Sequence, residues 1–143
     1  MDFEEVSAAD FGRSLEGIGI NLLLADFIKS VEFLTTVLGM TAHRVSDDFA
    51  IMAYKLQVFQ LHSDRTYGAH PLLSLVPETP PRGAGVQFYL FNHDPHTALQ
   101  RAKDYGATII EPPREKPHGL YEGTILCPDG YAWSPSMPST SKA

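Results

Sequence analysis

Two glycines, Gly39 and Gly106, lie 67 residues apart, and each closes a helical stretch that follows a strand-like stretch. This internal period constrains the fold more than any other feature, because a repeat of that size implies a duplicated structural unit. In the first half, Gly17–Leu24 is a short apolar run that reads as a buried strand. Asp26 then offers a side-chain oxygen to the free N–H groups of a helix start. Phe27, Ile28, Val31, Leu34, Val37 and Leu38 follow at helical spacing, and Gly39 supplies the left-handed residue that ends the helix. Strand-like stretches come next at about 41–45, 49–54 and 57–62.

The second half repeats the order. Val86–Phe91 reads as a strand, and Asp94-Pro95 as a helix start, since proline suits the first helical position. Ala98, Leu99, Ala102 and Tyr105 form the stripe and Gly106 stops it. Ala107–Glu111 and Tyr121–Cys127 read as strands separated by a turn at Pro112–Pro117. Pro128-Asp129-Gly130 is a tight turn into a last strand, Tyr131–Ser134. The expected organisation is an arm over 1–16, with no more than a short helical turn, and one domain over 17–136. Module one spans about 17–77 and contains a further strand at about Leu72–Val76. A Pro/Gly linker occupies 78–85, and module two spans about 86–136. From Pro135 onward apolar content falls away, and 137–143 reads as a flexible tail.

Bulk properties narrow the function classes. The 143 residues suit one domain, and no apolar run approaches the ~20 residues that span a bilayer. The start Met1-Asp2-Phe3-Glu4-Glu5 is acidic where an export signal is basic, and the single Cys127 cannot form an internal disulfide, so a cytoplasmic location is expected. Net charge is −6, from 11 basic and 17 acidic residues, with the basic residues scattered. That argues against nucleic acid, whose binders cluster Lys and Arg on phosphates, and against an anionic membrane surface.

The segment carrying Asp26, Ser30, Phe33, Leu38 and Gly39 resembles the first-helix motif of the vicinal oxygen chelate superfamily, which holds glyoxalases, bleomycin-resistance proteins and extradiol dioxygenases. Leu34 stands where that family often has tyrosine. Ala98 through Gly106-Ala107 resembles its second helix. Pro112-Pro113 through His118-Gly119 resembles its proline loop, with His118 in place of tryptophan. Pro128-Asp129-Gly130 through Trp133 resembles its closing hairpin, with Cys127 replacing an aspartate. The match covers residues 17–136. It implies an α+β fold in which two βαβββ modules form a curled mixed sheet around a cavity, with helices on the outer face, and it implies a homodimer.

Strand alternation sorts the cavity face. With Ile18, Ile20, Leu22 and Leu24, Phe59 and Leu61, Val86, Phe88 and Leu90, and Tyr131 and Trp133 on the helix side, the cavity receives Asn21, Gln60, His62, Gln87, Tyr89, Phe91 and Ser134, joined by Tyr121. These are the candidate ligand-binding residues. The resemblance puts Gly19, Gln60, Gln87 and Ser134 where metal-dependent relatives place ligands. Glycine has no donor, neutral serine is a poor one, and glutamine offers only a neutral oxygen, so neither a metal nor another cofactor is expected. The reading that follows is a protein that binds a small amphipathic molecule without a metal. The alternative is an enzyme of the same superfamily, a glyoxalase-type lyase or isomerase or a dioxygenase, using a non-standard metal set or His62 as catalytic base. His93 and His96 are expected at the surface or as caps, His118 as a loop-shaping residue, Cys127 as buried and inert, and Glu122 as solvated.

Overall fold

The helix of each module begins where a carboxylate, Asp26 or Asp94, can bind free backbone N–H groups. In the computed structural model, which describes residues 1–140, the strand β1 (Asn21–Leu24) leads through Asp26 into α2 (Phe27–Thr36), preceded in the chain by α1 (Ala8–Ser14). The Asp26 side chain accepts from Lys29 N at 3.3 Å, and Gly39 follows at φ +68°. Three strands complete the unit: β2 (Thr41–His43), β3 (Phe49–Tyr54) and β4 (Gln57–Ser63). β4 returns beside β1 in parallel, giving the order β1-β4-β3-β2.

Module two is built the same way. β5 (Gly83–Phe91) leads into α3 (Pro95–Tyr105), where Asp94 caps His96 N at 3.0 Å and Gly106 ends the helix at φ +88°. β6 (Thr108–Glu115), β7 (Leu120–Leu126) and β8 (Tyr131–Pro138) follow in the order β5-β8-β7-β6. The fold is therefore α+β, two βαβββ modules each carrying a four-stranded mixed sheet. A single apolar core joins them: Leu22, Leu24, Phe33, Leu34 and Leu61 from one module pack in one cluster with Leu90, Ala98, Leu99, Ile125 and Trp133 from the other. No described helix is long and apolar enough to cross a membrane.

The modules are pinned by the β7–β8 turn. Asp129 is 2% exposed, and its carboxylate accepts from Ala25 N (2.9 Å), Asp26 N (3.3 Å) and Ser30 Oγ (2.9 Å) at the start of α2. Tyr131 hydroxyl donates to Leu23 O at 2.8 Å, and burial pushes that phenol up to about 12. Gly130 sits at φ +81°, and a Cβ there would stand 2.3 Å from Pro81 Cα, so the turn requires glycine.

Besides β5, which starts at Gly83 inside the expected 78–85 linker, five elements differ from the sequence reading. The arm contains a full two-turn helix, α1, capped by Ser7, which accepts from Asp10 N at 3.1 Å. Pairing of β1 starts only at Asn21, leaving Ile18 98% exposed. Leu72–Val76 is not a strand: Pro71–Leu75 is a 3-10 turn whose start is capped by His70, and it has no neighbouring strand to pair with. The segment Pro112–Glu115 continues β6 instead of turning. β6 is an edge strand with register shifts at Ile109/Glu111 and Glu111/Arg114, where missing proline N–H groups cost no ladder bond. Finally, β8 does not stop at Ser134 but runs to Pro138, pairing Leu120↔Pro138 and Tyr121↔Met137. Its serines stay buried because Ser136 Oγ donates to Ser134 O at 2.9 Å. Residues 141–143 of the expected tail lie outside the described residues.

Removing the Asp129 carboxylate strands three donors, one of them a buried hydroxyl. Asp129→Ala is expected to lower unfolding free energy by about 3 kcal/mol and Ser30→Ala by about 1 kcal/mol, from the usual worth of bonds to charged groups. Urea denaturation followed by circular dichroism measures both, and equal midpoints for Asp129→Ala and the parent would refute the clasp.

Candidate functional site

Pairing register decides which side chains share a face. In the first sheet Phe49 lies opposite His62 and Ile51 opposite Gln60, so these four point the same way, while Ala50, Met52 and Leu61 enter the core. β1 adds Asn21, whose Oδ1 is 2.5 Å from His62 Nδ1 and whose Nδ2 donates to Tyr67 hydroxyl at 2.8 Å. An amide oxygen only accepts, so Nδ1 carries the imidazole proton and Nε2 carries the lone pair. Desolvation holds the His62 pKa below its ordinary value, which keeps the ring neutral. Tyr67 and Phe49 rings flank it at 5.5 and 5.0 Å. α1 covers this face and leaves a pocket of about 400 Å³ against Gln60 and His62.

The second sheet presents a different polar face. Gln87 Nε2 donates to Ser134 Oγ at 2.8 Å, and Thr124 Oγ1 lies 2.8 Å from the same hydroxyl. Glu122, expected in solvent, is 3% exposed and meets His118 Nε2 at 2.6 Å. The β7 alternation turns Glu122 toward the side of Ser134 and Ser136, its cross-strand partner. Tyr89 completes the patch. Burial first, and then the neighbouring Glu122 carboxylate, raises its hydroxyl pKa. Glu122 was missed because a carboxylate at a strand end is usually hydrated, and only its pairing with Ser136 shows otherwise.

The expected site residues therefore do not converge on one cavity. Asn21, Gln60 and His62 belong to the first sheet's face, and Gln87, Tyr89 and Ser134 to the second's. Tyr121 departs from both: its hydroxyl bonds His96 Nε2 at 2.7 Å, beside α3, because it alternates with Glu122. Gln87, Tyr89 and Phe91 also line a groove of about 560 Å³ along β5. Its walls are mainly apolar, and Ile20, Phe59 and Trp133 line it together with the β3–β4 turn, Tyr54 to Gln57. Phe88 and Phe59 rings stand 4.8 and 5.8 Å from Trp133, and Tyr54 hydroxyl donates to Phe91 O at 2.8 Å. Among the other histidines, His93 bonds Leu38 O at 2.8 Å. Cys127 is buried, and burial raises its thiol pKa away from the reactive thiolate.

The four positions at which metal-dependent relatives would hold an ion do not fit one. Gly19 has no donor, Gln87 and Ser134 are bonded to each other, and Gln60 lines a different cavity. Among the described residues no three His, Cys, Asp or Glu side chains are grouped to hold a metal.

Comparison with known proteins agrees with the architecture. The family model described as Glyoxalase/Bleomycin resistance protein/Dioxygenase superfamily matches residues 20–134. A glyoxalase/bleomycin resistance protein/dioxygenase from Nocardioides is similar at 20% identity and TM-score 0.66, covering 94% of this chain and 93% of its own. A glyoxalase/bleomycin resistance protein/dioxygenase family enzyme from Burkholderia phytofirmans PsJN gives 16% identity and TM-score 0.69, over 84% of this chain and 96% of its own. TioX from Micromonospora sp. ML1 gives 17% and 0.61, over 90% and 100%. No curated protein matches the chain.

Because the folded His62 pKa is depressed, the unfolded chain takes up its proton first as pH falls. The His62 contribution to stability is complete above about pH 6.5 and is lost below it, toward the lower folded value. His62→Gln is expected to flatten the fall in stability between pH 7 and pH 5, read from urea midpoints. Parallel profiles for the two proteins would contradict the neutral assignment.

Proposed function

The chain belongs to the Glyoxalase/Bleomycin resistance protein/Dioxygenase superfamily, and within it we propose that it is a metal-independent receptor for a small amphipathic molecule. The observation that carries this reading is the groove along β5. Apolar and aromatic walls around a few placed hydrogen-bonding groups are the usual makeup of a small-molecule site, and about 560 Å³ lies in the usual size range. Ile20, Phe59, Phe88 and Trp133 supply the walls, and Gln87 and Tyr89 supply the polar contacts. A flat ring with one donor or acceptor suits this arrangement. The donor chemistry at Gly19, Gln60, Gln87 and Ser134 supports a mode of action that needs no ion.

A homodimer is part of this proposal. β1 and β5 are both edge strands, and Ile18, Val86 and Phe91 leave apolar surface beside them. Open edges of this kind are sites for pairing with another chain. Light scattering after size exclusion is expected to give twice the chain mass, and a monomer at micromolar concentration would remove this part of the proposal.

A second reading is favoured by the Asn21–His62 bond. A histidine held in one tautomer, neutral and with Nε2 unbonded among the described residues, is suited to accept a proton from a bound substrate. On that reading the chain is a lyase, isomerase or dioxygenase of the superfamily, and His62→Gln lowers its turnover at least about 100-fold.

Trp133 is the sole tryptophan and lines the groove, so its emission reports on occupancy. A screen of small aromatic and thiol compounds is expected to yield saturable emission changes accompanied by raised melting temperature. Tyr89→Ala and Phe91→Ala should each weaken that binding about 10-fold, about 1.4 kcal/mol. Dialysis against a chelator should leave both binding and melting temperature unchanged. Binding that survives both substitutions, or is lost with the chelator, would overturn the receptor reading.

A further inference from the structure

α1 lies across the Gln60–His62 face, yet it is held by few contacts. Phe11 is its only buried residue, and Phe11 is not part of the core shared by the modules. The chain from Leu15 to Ile20 has no regular structure, includes Gly17 at φ +77°, and stands off Gln57–Phe59 across a space of about 510 Å³. The arm is fastened mainly at Arg44. Its guanidinium Nη1 donates to Val6 O, its backbone N donates to Glu4 Oε1 at 3.0 Å, and Glu4 also lies 3.5 Å from His43 Nδ1. Phe3 packs between, 5.3 Å from the His43 ring and 6.0 Å from that of Phe11.

The pocket beneath α1 combines Phe11, Phe49 and Ile51 with Arg44, Gln60 and His62. Among the described residues no carboxylate lies within ion-pair distance of the Arg44 guanidinium. A cation that bonds only a neutral carbonyl, on the wall of a mainly apolar pocket, fits an anionic group. A carboxylate on a guanidinium can form two parallel charge-assisted bonds, each about twice as strong as a neutral one.

We propose that α1 is a displaceable lid over a site for a small, mostly apolar carboxylic acid, and that Arg44 is both the latch of the closed lid and the anchor for the acid. The acid's carboxylate takes the guanidinium from Val6 O, which loosens the arm as the ligand enters. Its apolar body rests on Phe49 and Ile51. The unprotonated Nε2 of His62 and the amide of Gln60 remain for a hydroxyl or carbonyl group. This inference shares the His62 face with the second reading above but requires no turnover, and it is independent of the groove along β5.

Carbethoxylation of His62 by diethyl pyrocarbonate, read by peptide mass, tests it on the full chain. Phe11→Ser is expected to raise the His62 rate at least about 10-fold while leaving exposed His118 unchanged, and Glu4→Gln to raise it less in the same direction. Far-UV dichroism and Trp133 emission check that the variants are folded. Millimolar phenylacetate should protect His62 saturably, neutral phenylacetamide should not, and Arg44→Met should lose the protection. Unchanged His62 rates in both lid variants, protection by phenylacetamide equal to that by phenylacetate, or protection retained in Arg44→Met would each overturn the proposal. Protection without a change in Trp133 emission assigns phenylacetate to this pocket, whereas an emission change without protection supports the groove and removes this site.

Discussion

One buried carboxylate determines how the two halves of this chain meet. Asp129 leaves water to bind two backbone N–H groups and a hydroxyl at the start of α2, 99 to 104 residues away in sequence. Burying a charge is unfavourable unless each oxygen is satisfied, so only one placement of the β7–β8 turn against α2 is acceptable. That placement brings Tyr131 to Leu23 O and seats Trp133 among Phe59 and Phe88. It also closes the core into one cluster instead of two.

With the modules locked in this way, the surfaces that could hold a ligand follow. The helix-side faces meet and form the core, whose open end along β5 becomes the aromatic groove. The opposite faces carry the polar residues, of which Gln87 and Tyr89 also reach the groove along β5. One is occupied by its own network of Gln87, Thr124, Ser134, Tyr89, Glu122 and His118. The other is covered by α1. Binding chemistry in this chain is thus distributed over separate cavities, and no common centre gathers Gln60 with Gln87.

Much of the architecture was legible before any coordinates. The Asp26 and Asp94 caps and the Gly39 and Gly106 stops bounded both crossover helices, because capping depends on residues adjacent in sequence. Alternation also grouped Asn21 with Gln60 and His62 and grouped Gln87 with Tyr89 and Ser134, since side-chain direction has a fixed period of two, but it assigned both groups to one cavity. Most of the readings that changed depended on a neighbour. Leu72–Val76 had the composition of a strand but no partner. Pro112-Pro113 looked like a turn, yet an edge strand tolerates proline. The last strand looked finished at Ser134, yet β8 continues to Pro138 because it pairs with β7 along that length. Glu122 looked solvated until its pairing with Ser136 turned it inward.

The amino-acid order by itself determined the duplicated strand–helix–three-strand plan and the limits of the two module helices, which rest on local periods and on side-chain chemistry. Tertiary structure alone decided that the polar faces of the two modules do not share a cavity, that Tyr121 turns to His96, and that α1 lies over His62. Those outcomes depend on contacts between residues remote in the chain. Their energies come from burial and from the bonds that burial demands, neither of which any local pattern encodes.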